Sequence, residues 1–123
     1  MDGIYTFTGK VIDGKKRGER LSFPTINIPL QQIVAEGIYI SQTEIDQKKY
    51  KSLTFIGAAI TYGETDYKSE TYILDFSRNL YGQEVTITLL KKIRDNQKFA
   101  SEAALSAQME DDKKQAEEYF KNL

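Results

Sequence analysis

The chain has 123 residues, a length that suits one compact domain, with 40% hydrophobic residues, 28% charged residues and a formal net charge of -1. That composition is globular rather than disordered, and the near-neutral charge excludes the broad basic footprint of a nucleic-acid binder. Cysteine and histidine are both absent, which excludes thiolate or imidazole zinc sites, cysteine nucleophiles and Ser-His-Asp triads and disulfide staples.

What remains is narrow. Acid–base work falls to Asp, Glu, Lys or Tyr, and any metal is oxygen-bound, as Mg2+, Mn2+ or Ca2+. There is no apolar run long enough to span a bilayer and no signal-peptide pattern at Met1, so a cytoplasmic protein is expected.

In chain order, Tyr5, Phe7 and Val11 alternate with Thr6, Thr8 and Lys10, the period of a strand. Gly9 to Lys15 nearly matches a Walker A loop. However, position 16 is Lys16 rather than Ser or Thr, and no helix opens behind it to cradle a phosphate. Gly14-Lys15-Lys16-Arg17-Gly18-Glu19-Arg20 is a better phosphate candidate. Two glycines let a loop aim backbone N–H groups inward, and the cations at 15, 16, 17 and 20 suit a polyanion. The same residues also read as a solvated hairpin tip.

Leu21-Ser22-Phe23-Pro24-Thr25-Ile26-Asn27 follows. Pro24 biases Phe23 toward extended backbone, and in a strand Thr25 and Asn27 share one face. A hydroxyl and an amide carbonyl on one strand can hold a hard cation when bound phosphates supply the other oxygens. Alone, the segment also reads as a proline-bounded strand entry with two polar residues facing water.

Further strands are expected from Ile38 to Ile45 and from Tyr50 to Ile60, joined by a turn at Asp46-Gln47-Lys48, with Gly57 as a bulge or close-approach point. The next run from Tyr72 to Phe76 alternates, Tyr81-Gly82 turns, and Val85 to Ile93 alternates again. Glu70, at the mouth of one strand, is placed to act as a general base, although Glu64 and Asp66 are equally charged neighbours and a solvated strand-edge carboxylate is the plainer reading. Arg94 and Phe99 flank the passage into a helix, where a helix-entry charge and an apolar staple are the ordinary roles. Ser101 is a good N-cap. Leu105, Met109, Ala116, Tyr119, Phe120 and Leu123 then trace a helical face, in one segment or in two if Asp111 or Asp112 caps a second. The expectation is a mainly β fold in one domain, residues 1–123, a small barrel with a helix packed on it.

Taken together and in this order, Gly9-x-Val11, Gly14, Gly18, Leu21-x-Phe23-Pro24-Thr25-x-Asn27, Gly37-Ile38-Tyr39, Glu70-Thr71, Leu74-Asp75-Phe76, Tyr81-Gly82, Ile93-Arg94 and Lys98-Phe99 resemble the ATP-dependent riboflavin kinase family, including the kinase module of bacterial bifunctional FAD synthetases. The resemblance runs from about Tyr5 to the C-terminal helix. It implies a six-stranded antiparallel Greek-key barrel with a C-terminal helix. The implied reaction is transfer of the ATP γ-phosphate to the ribityl 5'-hydroxyl of riboflavin, giving FMN and ADP. By the same resemblance Thr25 and Asn27 match Mg2+ ligands, and Gly14, Arg17, Gly18, Arg20 and Thr25 match the nucleotide site. Glu70 matches the catalytic carboxylate, and Arg94 and Phe99 border the flavin.

The chain departs from the family pattern at Ser22, where Gly is usual, at Tyr72, where His is usual, at Ile60, where Pro is common, and at Glu19, where a basic residue is frequent. These departures motivate an alternative, a non-catalytic flavin- or nucleotide-binding barrel; a ligand-free protein-interaction barrel is the weaker third reading. Bifunctional relatives carry an N-terminal nucleotidyltransferase domain that these residues lack. The expectation is therefore a stand-alone kinase or an excised module acting on small molecules, without FAD synthesis of its own and without nucleic-acid or membrane partners.

Overall fold

The computed structural model describes residues 4–12, 25–30, 33–58 and 67–123. The alternating segments form β1 (Tyr5–Lys10), β2 (Ile26–Ile28), β3 (Gly37–Ile45), β4 (Lys48–Gly57), β5 (Lys68–Ile73) and β6 (Glu84–Arg94). One helix stands among the described residues, α1 (Glu102–Lys121). The strands make one six-stranded sheet in the order β1-β6-β3-β4-β5-β2, and every adjacent pair is antiparallel. Because β6 returns to lie beside β3, the run β6-β3-β4-β5 is a Greek key.

The sheet curls until its edges meet. Just past β1, Ile12 bridges Asn27 of β2, and its N–H donates to the Asn27 carbonyl at 2.8 Å. Among the described residues this one bridge joins the two edges, β1 pairing otherwise with β6 and β2 with β5. Gly9 makes this approach possible: a Cβ there would lie 2.7 Å from Ile28 Cγ2.

Inward residues fill the lumen, among them Ile28, Ile56, Val85, Ile87 and Leu89, each at most 1% exposed. A second apolar layer lies outside the wall, where Ile38, Ile40, Leu53 and Leu74 pack with Ala116 of α1. The lumen also holds a hydroxyl chain. Thr43 donates to Ser52 at 2.8 Å, Ser52 and Ser41 bond at 2.7 Å, Thr54 bonds Ser41 at 2.8 Å, and Thr54 also meets Thr71 at 2.8 Å. Each buried hydroxyl thus has a partner, which removes the desolvation penalty of leaving one unpaired.

Local boundaries differ from the sequence expectation in instructive ways. The β3–β4 hairpin turns on Asp46 and Gln47 alone, with φ of 51° and 69°. That is the two-residue loop whose left-handed residues match strand twist, and Lys48 already pairs with Ile45. Strand β4 ends at Gly57 rather than Ile60, the latter lying outside the described residues. Strand β5 ends at Ile73 rather than Phe76, because Asp75 turns left-handed at φ 54°. Phe76 instead packs edge-on against Tyr50, with ring centroids 5.1 Å apart. Of the two options for the C-terminus the single helix holds. Ser101 Oγ accepts from the Ala104 N–H at 3.1 Å, and Asp111 and Asp112 are helical rather than capping. No helix among the described residues is long and apolar enough to cross a membrane.

Candidate active site

Thr25, Asn27 and Glu70 come together on the outer wall of the barrel. Ile26 and Ile28 pack with the lumen cluster, so Asn27 between them points the other way. The β2–β5 register sets Asn27 directly opposite Glu70, and directly paired residues share a face. Thr25 reaches the same carboxylate: its hydroxyl donates to Glu70 Oε1 at 3.3 Å. On β5, two residues earlier and on the same face, Lys68 Nζ lies 3.9 Å from Glu70 Oε2. Both side chains are about four-fifths buried, Lys68 being 22% and Glu70 19% exposed.

The backbone of Asn27 is held from two sides, by Ile12 and by β5. Its side chain carries an unpaired acceptor: Asn27 is 6% exposed, and Oδ1 has no hydrogen-bond partner. A buried carbonyl without a partner is costly unless a ligand supplies one. No group of three or more acidic residues that could hold a metal exists among the described residues. Beside the single Glu70 carboxylate, the oxygen donors at hand are neutral, the Asn27 carbonyl and the Thr25 hydroxyl. A hydroxyl keeps two lone pairs while its hydrogen points at Glu70. This set suits a hard cation that brings phosphate oxygens with it, as Mg2+ on a nucleotide does.

The sheet register links this corner to the helix. Asn27 pairs with Glu70, Glu70 with Phe55, Phe55 with Ile38 and Ile38 with Arg94. One rung therefore runs across β2, β5, β4, β3 and β6 on the outer face. At strand spacing it separates Glu70 from Arg94 by about 14 Å, and between them lie the apolar Phe55 and Ile38. Arg94 is engaged at the far end. Its Nε donates to Asp112 Oδ1 at 2.9 Å and Oδ2 at 3.1 Å, and Nη2 donates to Oδ2 at 2.8 Å. The guanidinium carbon lies 5.6 Å from the centroid of the Phe99 ring.

Beside this rung, Lys92 Nζ pairs with Asp95 Oδ1 at 2.7 Å. Their hydrogen bond raises the Lys92 pKa and lowers that of Asp95. The expected nucleotide loop, with Gly14, Arg17, Gly18 and Arg20, lies outside the described residues, as do Glu19, Ser22, Ile60 and the competing acids Glu64 and Asp66. Sequence reasoning treated Asp112 as a possible helix cap and missed its pairing with Arg94. Lys68 was passed over as well, although its spacing of two from Glu70 was the available signal.

Comparison with known proteins agrees with this architecture. The riboflavin kinase family model matches residues 2–120. The chain is 33% identical over 119 residues to the bifunctional riboflavin kinase/FMN adenylyltransferase of Escherichia coli K12, covering 94% of this chain and 38% of that protein. It is 34% identical over 125 residues to the protein of the same description from Bacillus subtilis, covering 97% of this chain and 40% of that one. Among solved structures, a Streptococcus pneumoniae protein described as a macrolide-efflux protein superposes with a TM-score of 0.78 at 31% identity, over 89% of this chain and 37% of that one. The riboflavin kinase of Trypanosoma brucei superposes with a TM-score of 0.65 at 23% identity, over 94% of this chain and 79% of that one, a likeness of fold. The chain thus spans well under half the length of the curated relatives it matches. The chain belongs to the riboflavin kinase family.

Proposed function

We propose that this domain is an ATP:riboflavin 5'-phosphotransferase, converting riboflavin and ATP to FMN and ADP with Mg2+. The observation that carries the reading is the buried, unpaired Asn27 Oδ1 beside Thr25 and opposite Glu70. Two neutral oxygens and a carboxylate on one rigid wall are what an alcohol, a nucleotide phosphate and its cation require. Family membership supports the choice of riboflavin as the alcohol.

In this mechanism Asn27 Oδ1 and Thr25 Oγ1 would hold the cation of Mg-ATP, which would offset charge on the phosphate oxygens. Glu70 takes the proton of the ribityl hydroxyl as its oxygen bonds to the γ-phosphorus. The bond from that phosphorus to the ADP oxygen breaks, and the proton later passes from Glu70 to solvent. The hydroxyl is a poor acid, so the base matters, while positioning and electrostatics carry most of the transfer. The Thr25 hydroxyl on Oε1 and the Lys68 ammonium 3.9 Å from Oε2 together orient the carboxylate. The ring system would lie beside the half-buried Phe55, toward Arg94 and Phe99. Gly14, Arg17, Gly18 and Arg20 are assigned to the phosphates on the family resemblance.

We place residues 1–123 in one domain, in the cytoplasm where ATP is available. In a longer protein this domain would follow a nucleotidyltransferase domain, the source of the second activity in the names of its relatives. Incubation with riboflavin, ATP and Mg2+, followed by chromatographic separation of flavins, tests the assignment. FMN above a protein-free blank is expected; folded protein that makes none rejects it. Riboflavin fluorescence quenching without phosphate transfer would favour the non-catalytic alternative.

A further inference from the structure

Arg94 does not offer its side chain freely to a ligand. Nε and Nη2 are both committed to Asp112, and Nη1 donates to the Asp95 carbonyl at 3.4 Å. Asp112 is 2% exposed on α1, and Gln108 one turn earlier donates to its Oδ1 at 3.0 Å. A carboxylate this buried holds one guanidinium geometry, because two parallel charge-assisted bonds fix both distance and plane. That plane is the one that lies over Phe99, in the connection between β6 and α1. The pair therefore joins the end of the ligand-bearing rung to the helix that covers the outer wall.

From this geometry we infer that Asp112 is a positioning residue for the flavin end of the site: it turns Arg94 against Phe99, so that the two present a fixed stacking wall to the isoalloxazine ring. Its effect runs through Arg94 and not through the phosphate end, from which Arg94 is separated by about three strand spacings. The inference rests on the riboflavin reading above and adds to it a residue on the helix. Nε and one N–H each of Nη1 and Nη2 are already engaged, so the inference has Arg94 serve chiefly by its face.

The test is a pair of titrations on the whole chain, riboflavin by fluorescence quenching and Mg-ATP separately, alongside steady-state FMN formation. D112N should raise both the Kd and KM for riboflavin about tenfold and leave the ATP KM within about twofold. D112E, which keeps the carboxylate, should recover part of the loss. In an R94Q background D112N should add nothing further, because a residue acting only through Arg94 has no other route. An unchanged riboflavin Kd in folded D112N, an equal rise for both substrates, or additive losses in the double variant would each overturn the assignment. If D112N does not fold, D112E, which keeps the charge but shifts the carboxylate, carries the test: a selective loss of riboflavin affinity supports the inference, and wild-type affinity or an equal loss for both substrates refutes it. Wild-type protein that binds riboflavin but forms no FMN would sink the kinase reading alone, since the binding titrations still decide the role of Asp112.

Discussion

Asn27 and Glu70 face each other across the β2–β5 ladder, the one offering a buried carbonyl without a partner, the other a carboxylate that accepts from Thr25. The relationship assigns different work to the two side chains. The amide cannot take a proton, and the carboxylate can. Glu70→Gln keeps the shape and the Thr25 contact but removes the base. It should lower kcat by roughly a hundredfold or more while riboflavin and Mg-ATP still bind. Rapid-quench measurement of FMN formation checks this, and an unaltered rate would remove Glu70 from the role.

The neutral oxygens should govern metal dependence. Under the proposed mechanism Thr25→Ala would replace one ligand oxygen by water, so the Mg2+ concentration for half-maximal rate at fixed ATP should rise about tenfold. Asn27→Asp does the reverse by placing a second carboxylate opposite Glu70. Like charges directly paired are destabilising. In EDTA this variant should lose about 1 kcal/mol, or roughly 4 °C in Tm, and Mg2+ should restore it by mass action. A melting curve indifferent to Mg2+ would argue against a cation at this corner.

Gly37 opens β3 beside the same rung with φ +148°, and a Cβ there would sit 2.8 Å from the Arg94 carbonyl oxygen. Gly37→Ala meets both a disfavoured backbone conformation and a backbone atom that cannot step aside. A loss of about 3 kcal/mol is expected by urea denaturation, and wild-type stability would show that the wall relaxes more readily than its packing implies.

The alkaline limb of stability should report on Tyr39. Burial raises its pKa above the ordinary 10.0, although the charge of Lys92 lowers it, and its hydroxyl donates to the Ala35 carbonyl at 2.6 Å. The folded state therefore keeps the phenolic proton to higher pH than the unfolded chain does. The contribution is whole below the unfolded pKa and drains away as pH rises through the folded value. Tyr39→Phe should cost about 1 kcal/mol at neutral pH through the lost hydrogen bond and flatten the decline above pH 10. Denaturation midpoints across that range test it, and an equally steep decline in the variant would assign the titration elsewhere.

Much of this architecture is legible along the chain. Two-residue alternation marks the strands, Ser101 starts the helix where its side chain caps it, and the spacing of Thr25 and Asn27 agrees with both meeting Glu70. Strand ends were less legible. Phe76 continues the alternation of β5, yet Asp75 takes a left-handed turn that the pattern does not encode. The lumen hydroxyls at 41, 43, 52, 54 and 71 resemble solvent-facing residues in sequence and are buried because they bond one another.

The sequence by itself determined the kind of chemistry open to this protein. Without cysteine or histidine, only oxygen ligands and Asp, Glu, Lys or Tyr as acid or base remained, and spacing placed two of those oxygens on one strand face. Only the tertiary structure decided which carboxylate meets them and what Arg94 does. Thr25 and Glu70 are 45 residues apart, and Arg94 and Asp112 are 18 apart on different elements. Local periodicity says which way a side chain points. Its partner is set by strand register and helix docking, which depend on how the whole barrel closes.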